Sequence, residues 1–206
     1  MDIEAIRQSL EAQTPRRQGA AVLIPLVRTD EGLAIVLEVR AQTLAIQPGE
    51  VCLPGGRIEP GETPQVAAVR ETCEELLVSP EQIEVLGELG ALDGPGGRAL
   101  HAFVGELSDY RGTFSPDEVD RTFTLPLSWL LGHDPDVYRV SLEPRYPADY
   151  PWDLVPGGKN YPWRARVNEV PFYRGTDPLV WGATARVLRH FVALLREANH
   201  IQYHAV

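Results

Sequence analysis

The chain is short of cysteine, of positive charge and of long apolar runs. Only Cys52 and Cys73 occur among 206 residues. Two thiols without CxxC spacing set neither a disulfide framework nor a cysteine metal knuckle, and they suit a reducing, cytoplasmic compartment. Lysine and arginine number 19 against 29 aspartates and glutamates, a net charge of -10. Such a surface repels nucleic-acid backbones and anionic membranes. It still admits a small anionic substrate where a metal ion inverts the local field. No run approaches the length of a membrane span. The start, MDIEAIRQSLEAQ, has no basic region followed by an apolar one, so no secretory signal is expected. The five histidines lack HExxH or other paired spacing, which argues against zinc. No GxSxG elbow serves a serine hydrolase. Gly157-Gly158-Lys159 lacks the spacing and the strand-to-helix setting of a phosphate-binding loop.

What is present is an ordinary globular composition, 44% hydrophobic and 23% charged, in a length that suits one domain with its own core. Residues 2–12 read as a short amphipathic helix with Ile3, Ile6 and Leu10 on one face. AAVLIPLVR (20–28) and LAIVLEVR (33–40), separated by turn residues, read as a hairpin. Thr63 is a plausible N-cap, with Pro64 at the first helical position. That helix is expected to run to about Leu77, before Ser79-Pro80. IEVLGELGAL and ALHAFVGEL read as strands joined by DGPGGR, and SPDEVDRTFTLPLSWLL as loop, short strand and short helix. Residues 132–175, rich in proline, tyrosine and tryptophan, read as a long irregular insertion. A last helix, 178–198, is capped by Asp177-Pro178 and carries Val180, Ala183, Val187, Leu188, Phe191 and Leu195 on one stripe. The order predicts helices packed on a mixed sheet, in an α/β domain.

The helix at 63–77 carries the chemistry. At about 100° per residue, Val66, Val69, Cys73, Leu76 and Leu77 fall on one side. Glu71, Glu74 and Glu75 fall on the other and are expected to face outward. Like charges one turn apart repel, so either solvent tolerates them or a cation sits among them. The preceding glycine turn brings backbone oxygens nearby, and hard cations such as Mg²⁺ take carboxylates together with water and phosphate oxygens. Arg70, to one side of the stripe, is placed to pair with Glu62 and fix the glutamates. Cys73 reads as a core residue and Cys52 as an unreactive one. His101 reads as a packed or half-exposed strand residue.

This stretch resembles the Nudix box. Gly56 is followed after five residues by Glu62 and after seven more by Arg70-Glu71, then Glu74, Glu75 and Val78. Thr72 stands where that box has an aliphatic residue and Leu77 where it has a glycine. The segment before it, LEVRAQTLAIQPGEVCLPGG (37–56), resembles the upstream motif of the coenzyme A diphosphatase branch, Leu-Leu-Thr-any-Arg and then an arginine, a glycine and Phe-Pro-Gly-Gly. Arg40, Gly49, Pro54, Gly55 and Gly56 match it, while Ala45 replaces the second arginine and Leu53 the phenylalanine. Residues 116–131 and 170–191 also resemble that branch, the latter through Trp181-Gly182-Ala183-Thr184-Ala185.

The resemblance implies a Nudix-type α/β/α sandwich with a mixed β-sheet and the Nudix loop-helix-loop. It implies metal-dependent hydrolysis of a nucleoside diphosphate linked to another group, with coenzyme A or acyl-coenzyme A as the first substrate class. ADP-ribose, NADH or dinucleoside polyphosphates form a second class, which Ala45 keeps in view. A non-catalytic ligand sensor on the same fold is a third reading. Mg²⁺ or Mn²⁺ would be held by Glu71, Glu74, Glu75 and the carbonyl of Gly56. Arg70 and Glu62 would orient them, and Arg40, Gly55 and Gly56 would meet substrate. The general base would be Glu118, from the downstream loop, or Glu71. The partner is thus a small nucleotide diphosphate, with no nucleic acid or membrane, and monomer or homodimer is left open. The aromatic stretch 145–166, with Tyr146, Tyr150, Trp152, Tyr161 and Trp163 beside Lys159, Arg164 and Arg166, either closes over substrate or packs on itself.

Overall fold

Two aliphatic strands open the ordered core of the computed structural model, which describes residues 19–94, 98–163 and 166–199. β1 (Gly19–Thr29) and β2 (Gly32–Arg40) pair antiparallel, with Thr29 opposite Gly32. On its other edge β1 runs parallel to β6 (Ala99–Leu107), which pairs antiparallel with β5 (Ile83–Asp93). The start of β1 also pairs with β4 (Gly55–Arg57). β2 pairs with β3 (Val51–Cys52) and with β7 (Val119–Pro126). These contacts form one mixed sheet of seven strands.

Alternate residues of a strand face opposite ways, and the two faces bury different helices. Ile24, Leu26, Ile35, Leu37 and Val39 pack with Val187, Leu188 and Phe191 of α3 (Gly182–Asn199). Leu130 of the short helix α2 (Leu127–Gly132) joins the same cluster. On the opposite face, Ala21 and Leu23 meet Ala67 and Ala68 of α1 (Pro64–Leu76), and Val27, Ala34 and Val36 meet Leu76. Each such aliphatic side chain contributes about 1.5–3 kcal/mol when fully buried. The sheet therefore lies between two helical layers, the α/β/α arrangement expected.

α1 begins as its sequence predicts, with the Thr63 hydroxyl accepting from the Val66 N–H and Pro64 following. Its buried side differs from the expected one. Ala67, Ala68, Thr72, Glu75 and Leu76 are buried, while Val66 and Leu77 are exposed. Two alanines let the helix approach β1 closely, and bulk alone was a poor guide to that face. The helix also ends in the left-handed turn that a glycine would favour, although Leu77 occupies it at φ 53 and ψ 48.

Two further differences concern the second half. Within 132–175, β8 (Asp136–Leu142) and β9 (Arg166–Tyr173) pair antiparallel and, with β10 (Val180–Trp181), form a separate three-stranded sheet. Every residue of β8 is exposed, so it carries no buried-face alternation to read. The last helix starts at Gly182, which has φ 66, and not at residue 178. Val180 instead pairs with Tyr173 in the small sheet. The helix expected at 2–12 and Arg164 lie outside the described residues, as does the side chain of Arg166.

Candidate active site

The site is built where the glycine turn meets α1. A side chain at Gly55, which has φ 150, would collide with the Ala21 carbonyl, so only glycine lets β4 lie this close to β1. A Cβ at Gly56 would fall on the carboxylate of Glu71. Glu71 is thereby seated against the turn.

Arg70 organises the outer part of the cluster. Its Nε donates to Glu62 Oε1 at 2.9 Å and one terminal nitrogen to Oε2 at 3.1 Å, a bidentate pair. The other terminal nitrogen donates to Glu71 at 2.9 Å and to Glu74 at 3.2 Å. The guanidinium holds the Glu62 carboxyl below the usual carboxylate range. The pairing of Arg70 with Glu62 is thus as the sequence suggests.

The three helix carboxylates do not share one environment. Glu74 is exposed, as expected, and Glu71 is half-buried. Glu75 corrects the outward reading: it is 2% exposed and turned towards the sheet. Its Oε2 accepts the Gly55 N–H at 2.7 Å. That amide is therefore engaged by the protein, and Gly55 borders the site as lining. Burial, then the negative charge of Glu38, pushes the Glu75 pKa well up. Burial also raises Glu71, partly offset by Arg70.

Glu38 was missed in the sequence because it reads as one position of an aliphatic strand. Alternation along β2 places Ala34, Val36 and Glu38 on the face covered by α1. Glu38 is 1% exposed, and its Oε1 accepts from the Cys52 thiol at 3.2 Å. Burial raises the Glu38 carboxyl to about 7. Burial beside Glu38 also pushes up the Cys52 thiol, which makes it a poor nucleophile, as expected.

The loop carrying Glu118 is pinned to the same helix. Ser115 N–H donates to the Glu75 carbonyl at 2.7 Å, and the Thr113 hydroxyl to the Leu76 carbonyl at 2.7 Å. Glu118 is exposed there, and its charge acts on Glu38, Glu71 and Glu75. A cavity of about 180 Å³ adjoins the turn at Cys52 and Gly55. Arg40, Gln47 and Glu50 line it together with Trp181, Ala183 and Thr184. The aromatic rings of 145–166 pack on one another, Tyr146 within 5.9 Å of Tyr150, Trp152 and Trp163 by ring centres. None of them lines this cavity.

Known proteins decide the family. The model of the NUDIX domain matches residues 17–141. The chain belongs to the Nudix hydrolase family. Nudix hydrolase 3 of Caenorhabditis elegans is 30% identical over 191 residues, covering 90% of this chain and 77% of that one. Nudix hydrolase NudL of Enterobacter sp. (strain 638) is 31% identical over 188 residues, with 90% and 87% covered. The crystal structure of a MutT/nudix family protein from Enterococcus faecalis superposes with a TM-score of 0.54 at 14% identity, covering 98% of this chain and 73% of that one, a likeness of fold. This Nudix hydrolase is a diphosphohydrolase acting on small nucleotide diphosphate compounds, and its family generally requires divalent metal ions.

The residues present fit such an ion. Glu71, Glu74, Glu75 and the Gly56 carbonyl are hard oxygen donors around one turn, and Glu38 brings a buried oxygen that no described group satisfies. Among the described residues no three Asp, Glu, His or Cys side chains converge on one point. Hard divalent cations take carboxylate oxygens together with water and phosphate oxygens. No helix among the described residues is long and apolar enough to cross a membrane.

Proposed function

We propose that this Nudix hydrolase cleaves the diphosphate bond of coenzyme A or an acyl-coenzyme A, giving 3′,5′-ADP and 4′-phosphopantetheine or its acyl form. One observation supports the reading above others. The two segments that resemble the coenzyme A diphosphatase branch, 37–56 and 170–191, lie far apart in sequence yet line the same cavity beside Gly55. Arg40, Val51 and Leu53 come from the first, and Trp181, Ala183, Thr184 and Val187 from the second. The Thr184 hydroxyl bonds the Val51 carbonyl at 2.9 Å and clamps the two together.

In this reading Glu71, Glu74, Glu75 and the Gly56 carbonyl would hold Mg²⁺ or Mn²⁺, which when bound would neutralise phosphate charge and acidify water. Arg70, braced by Glu62, orients Glu71 and Glu74. Glu118, fixed beside Glu75 by its loop, takes the proton from the attacking water, with Glu71 as the alternative base. Water attacks phosphorus in line, and the other phosphate leaves. Arg40 and Trp181 receive the part of the substrate that enters the cavity, the cation meeting phosphate and the ring meeting a flat or apolar group.

The test is a chromatographic screen of coenzyme A, acetyl-coenzyme A, ADP-ribose, NADH and diadenosine polyphosphates, with Mg²⁺ and with Mn²⁺. Release of 3′,5′-ADP in preference to all other products is the expected outcome. Faster cleavage of another member would assign the cavity to that compound and overturn the coenzyme A reading.

A further inference from the structure

The cluster contains a carboxylate that the box does not account for. Along β2 the residues facing α1 are Ala34, Val36 and then Glu38. The first two pack against Val27 and Leu76, as an interior face should. The third is a glutamate at 1% exposure. Its Oε1 receives only the weak S–H donor of Cys52. Its Oε2 is buried and has no hydrogen-bond partner among the described residues. An ionisable group in that state is normally paired or bound to a metal.

The surroundings indicate what it faces. Cys52 leads through Leu53 and Pro54 to Gly55, whose N–H holds Glu75 Oε2 at 2.7 Å. Among the described residues the Glu75 carboxyl accepts no other hydrogen bond. Glu38 is the strongest charge acting on Glu75. Arg40 acts on Glu38 as well, but its Nε donates to the Ile46 carbonyl at 3.3 Å. Two buried carboxyls, one on the sheet and one on the helix packed against it, thus each have an oxygen uncommitted to a strong donor. Such a pair suits a hard divalent cation, which takes carboxylate oxygens from more than one element.

We propose that Glu38 is a further donor to the divalent-cation site, supplying its free oxygen from β2 to the ion held by Glu75 from α1. This rests on the reading that the box carboxylates hold a divalent ion. It adds a ligand outside the box, one that links the sheet to the helix through the metal. Its position in the upstream motif is that of a threonine, so the donor is a feature of this chain's own sequence.

The test uses Mn²⁺ alone, without substrate. Binding is followed by electron paramagnetic resonance or calorimetry for the intact chain, Glu38→Gln and Glu38→Asp, with thermal melts in the presence and absence of Mn²⁺. Glu38→Gln should weaken Mn²⁺ binding by roughly 10–100-fold. Its metal-free Tm should equal or exceed that of the parent, while the rise in Tm on adding Mn²⁺ should shrink. Glu38→Asp keeps the charge with a shorter reach, and it should bind with intermediate affinity. Equal affinity and stoichiometry in the parent and Glu38→Gln would overturn the proposal and leave Glu38 a packing residue. Absence of Mn²⁺ binding by the parent would overturn the box reading, and this proposal with it. The ranking of substrates in the screen does not depend on Glu38, so failure of this proposal and failure of the coenzyme A reading are distinguishable.

Discussion

The Gly55 N–H donates to Glu75 Oε2 at 2.7 Å, so a carboxylate buried under α1 is fastened to the backbone of the glycine turn. Together with the Arg70 bond to the Arg57 carbonyl at 3.2 Å, it ties the helix to the turn. A carboxyl this deep persists only where its bonding and function offset its desolvation. Glu75→Gln keeps the shape and can keep the amide contact, but it removes the charge. Activity is expected to fall by more than about 100-fold, since even outer partners of metal ligands cost 10–100-fold. The metal-free Tm should rise or hold. Steady-state hydrolysis and melts on the same sample check both. Loss of Tm together with activity would mean that Glu75 is structural.

Acidity should tune the metal-free protein in a defined direction. The carboxyls of Glu38 and Glu75 have folded pKa values above their ordinary range, chiefly through burial. Between the unfolded and folded values the folded chain binds more protons than the unfolded one, so stability decreases as pH rises. Glu38, raised to about 7, places much of this loss between about pH 5 and 7, and Glu75 extends it upward. Melts in chelator from pH 5 to 8 should show a falling Tm, and the slope should flatten in Glu38→Gln and Glu75→Gln. Mn²⁺ affinity should move the other way and tighten as pH rises, because the ion displaces those protons.

Glu118 stands on a loop that Ser115 and Thr113 tie to the carbonyls of Glu75 and Leu76. The base proposed here should act on kcat. Glu118→Gln is expected to lower kcat by roughly 10²–10⁴-fold, with KM and Mn²⁺ affinity little changed. A kcat within tenfold of the parent would transfer the role to Glu71.

Leu77 holds φ 53 at the end of α1, and its side chain is exposed. An L-residue in that conformation costs about 1–2 kcal/mol, which glycine avoids. Leu77→Gly is therefore expected to raise Tm by about 2–4 °C without altering kcat. A lower Tm would show that the leucine side chain contributes more than its backbone strain.

Much of the fold was legible because its signals are local. The hairpin of β1 and β2 is an aliphatic alternation around a turn, and α1 announces itself through Thr63 and Pro64. β8 escaped notice because it buries nothing. The start of α3 was placed early because Pro178 resembles a helix opening, whereas Val180 and Trp181 are drawn into pairing with Phe172 and Tyr173.

The spacing of Gly56, Glu62, Arg70, Glu71, Glu74 and Glu75 by itself determined the family and the reaction class. A helix repeats every 3.6 residues, so the spacing alone puts Glu71 and Glu75 one turn apart with Arg70 and Glu74 beside them. What tertiary structure alone decided is which carboxylates are buried. α1 settles on the sheet through Ala67 and Ala68, which turns Glu75 inward. Strand alternation then brings Glu38, from 37 residues earlier in the chain, to the face that α1 covers. Burial depends on what a side chain packs against, and that partner comes from another part of the chain.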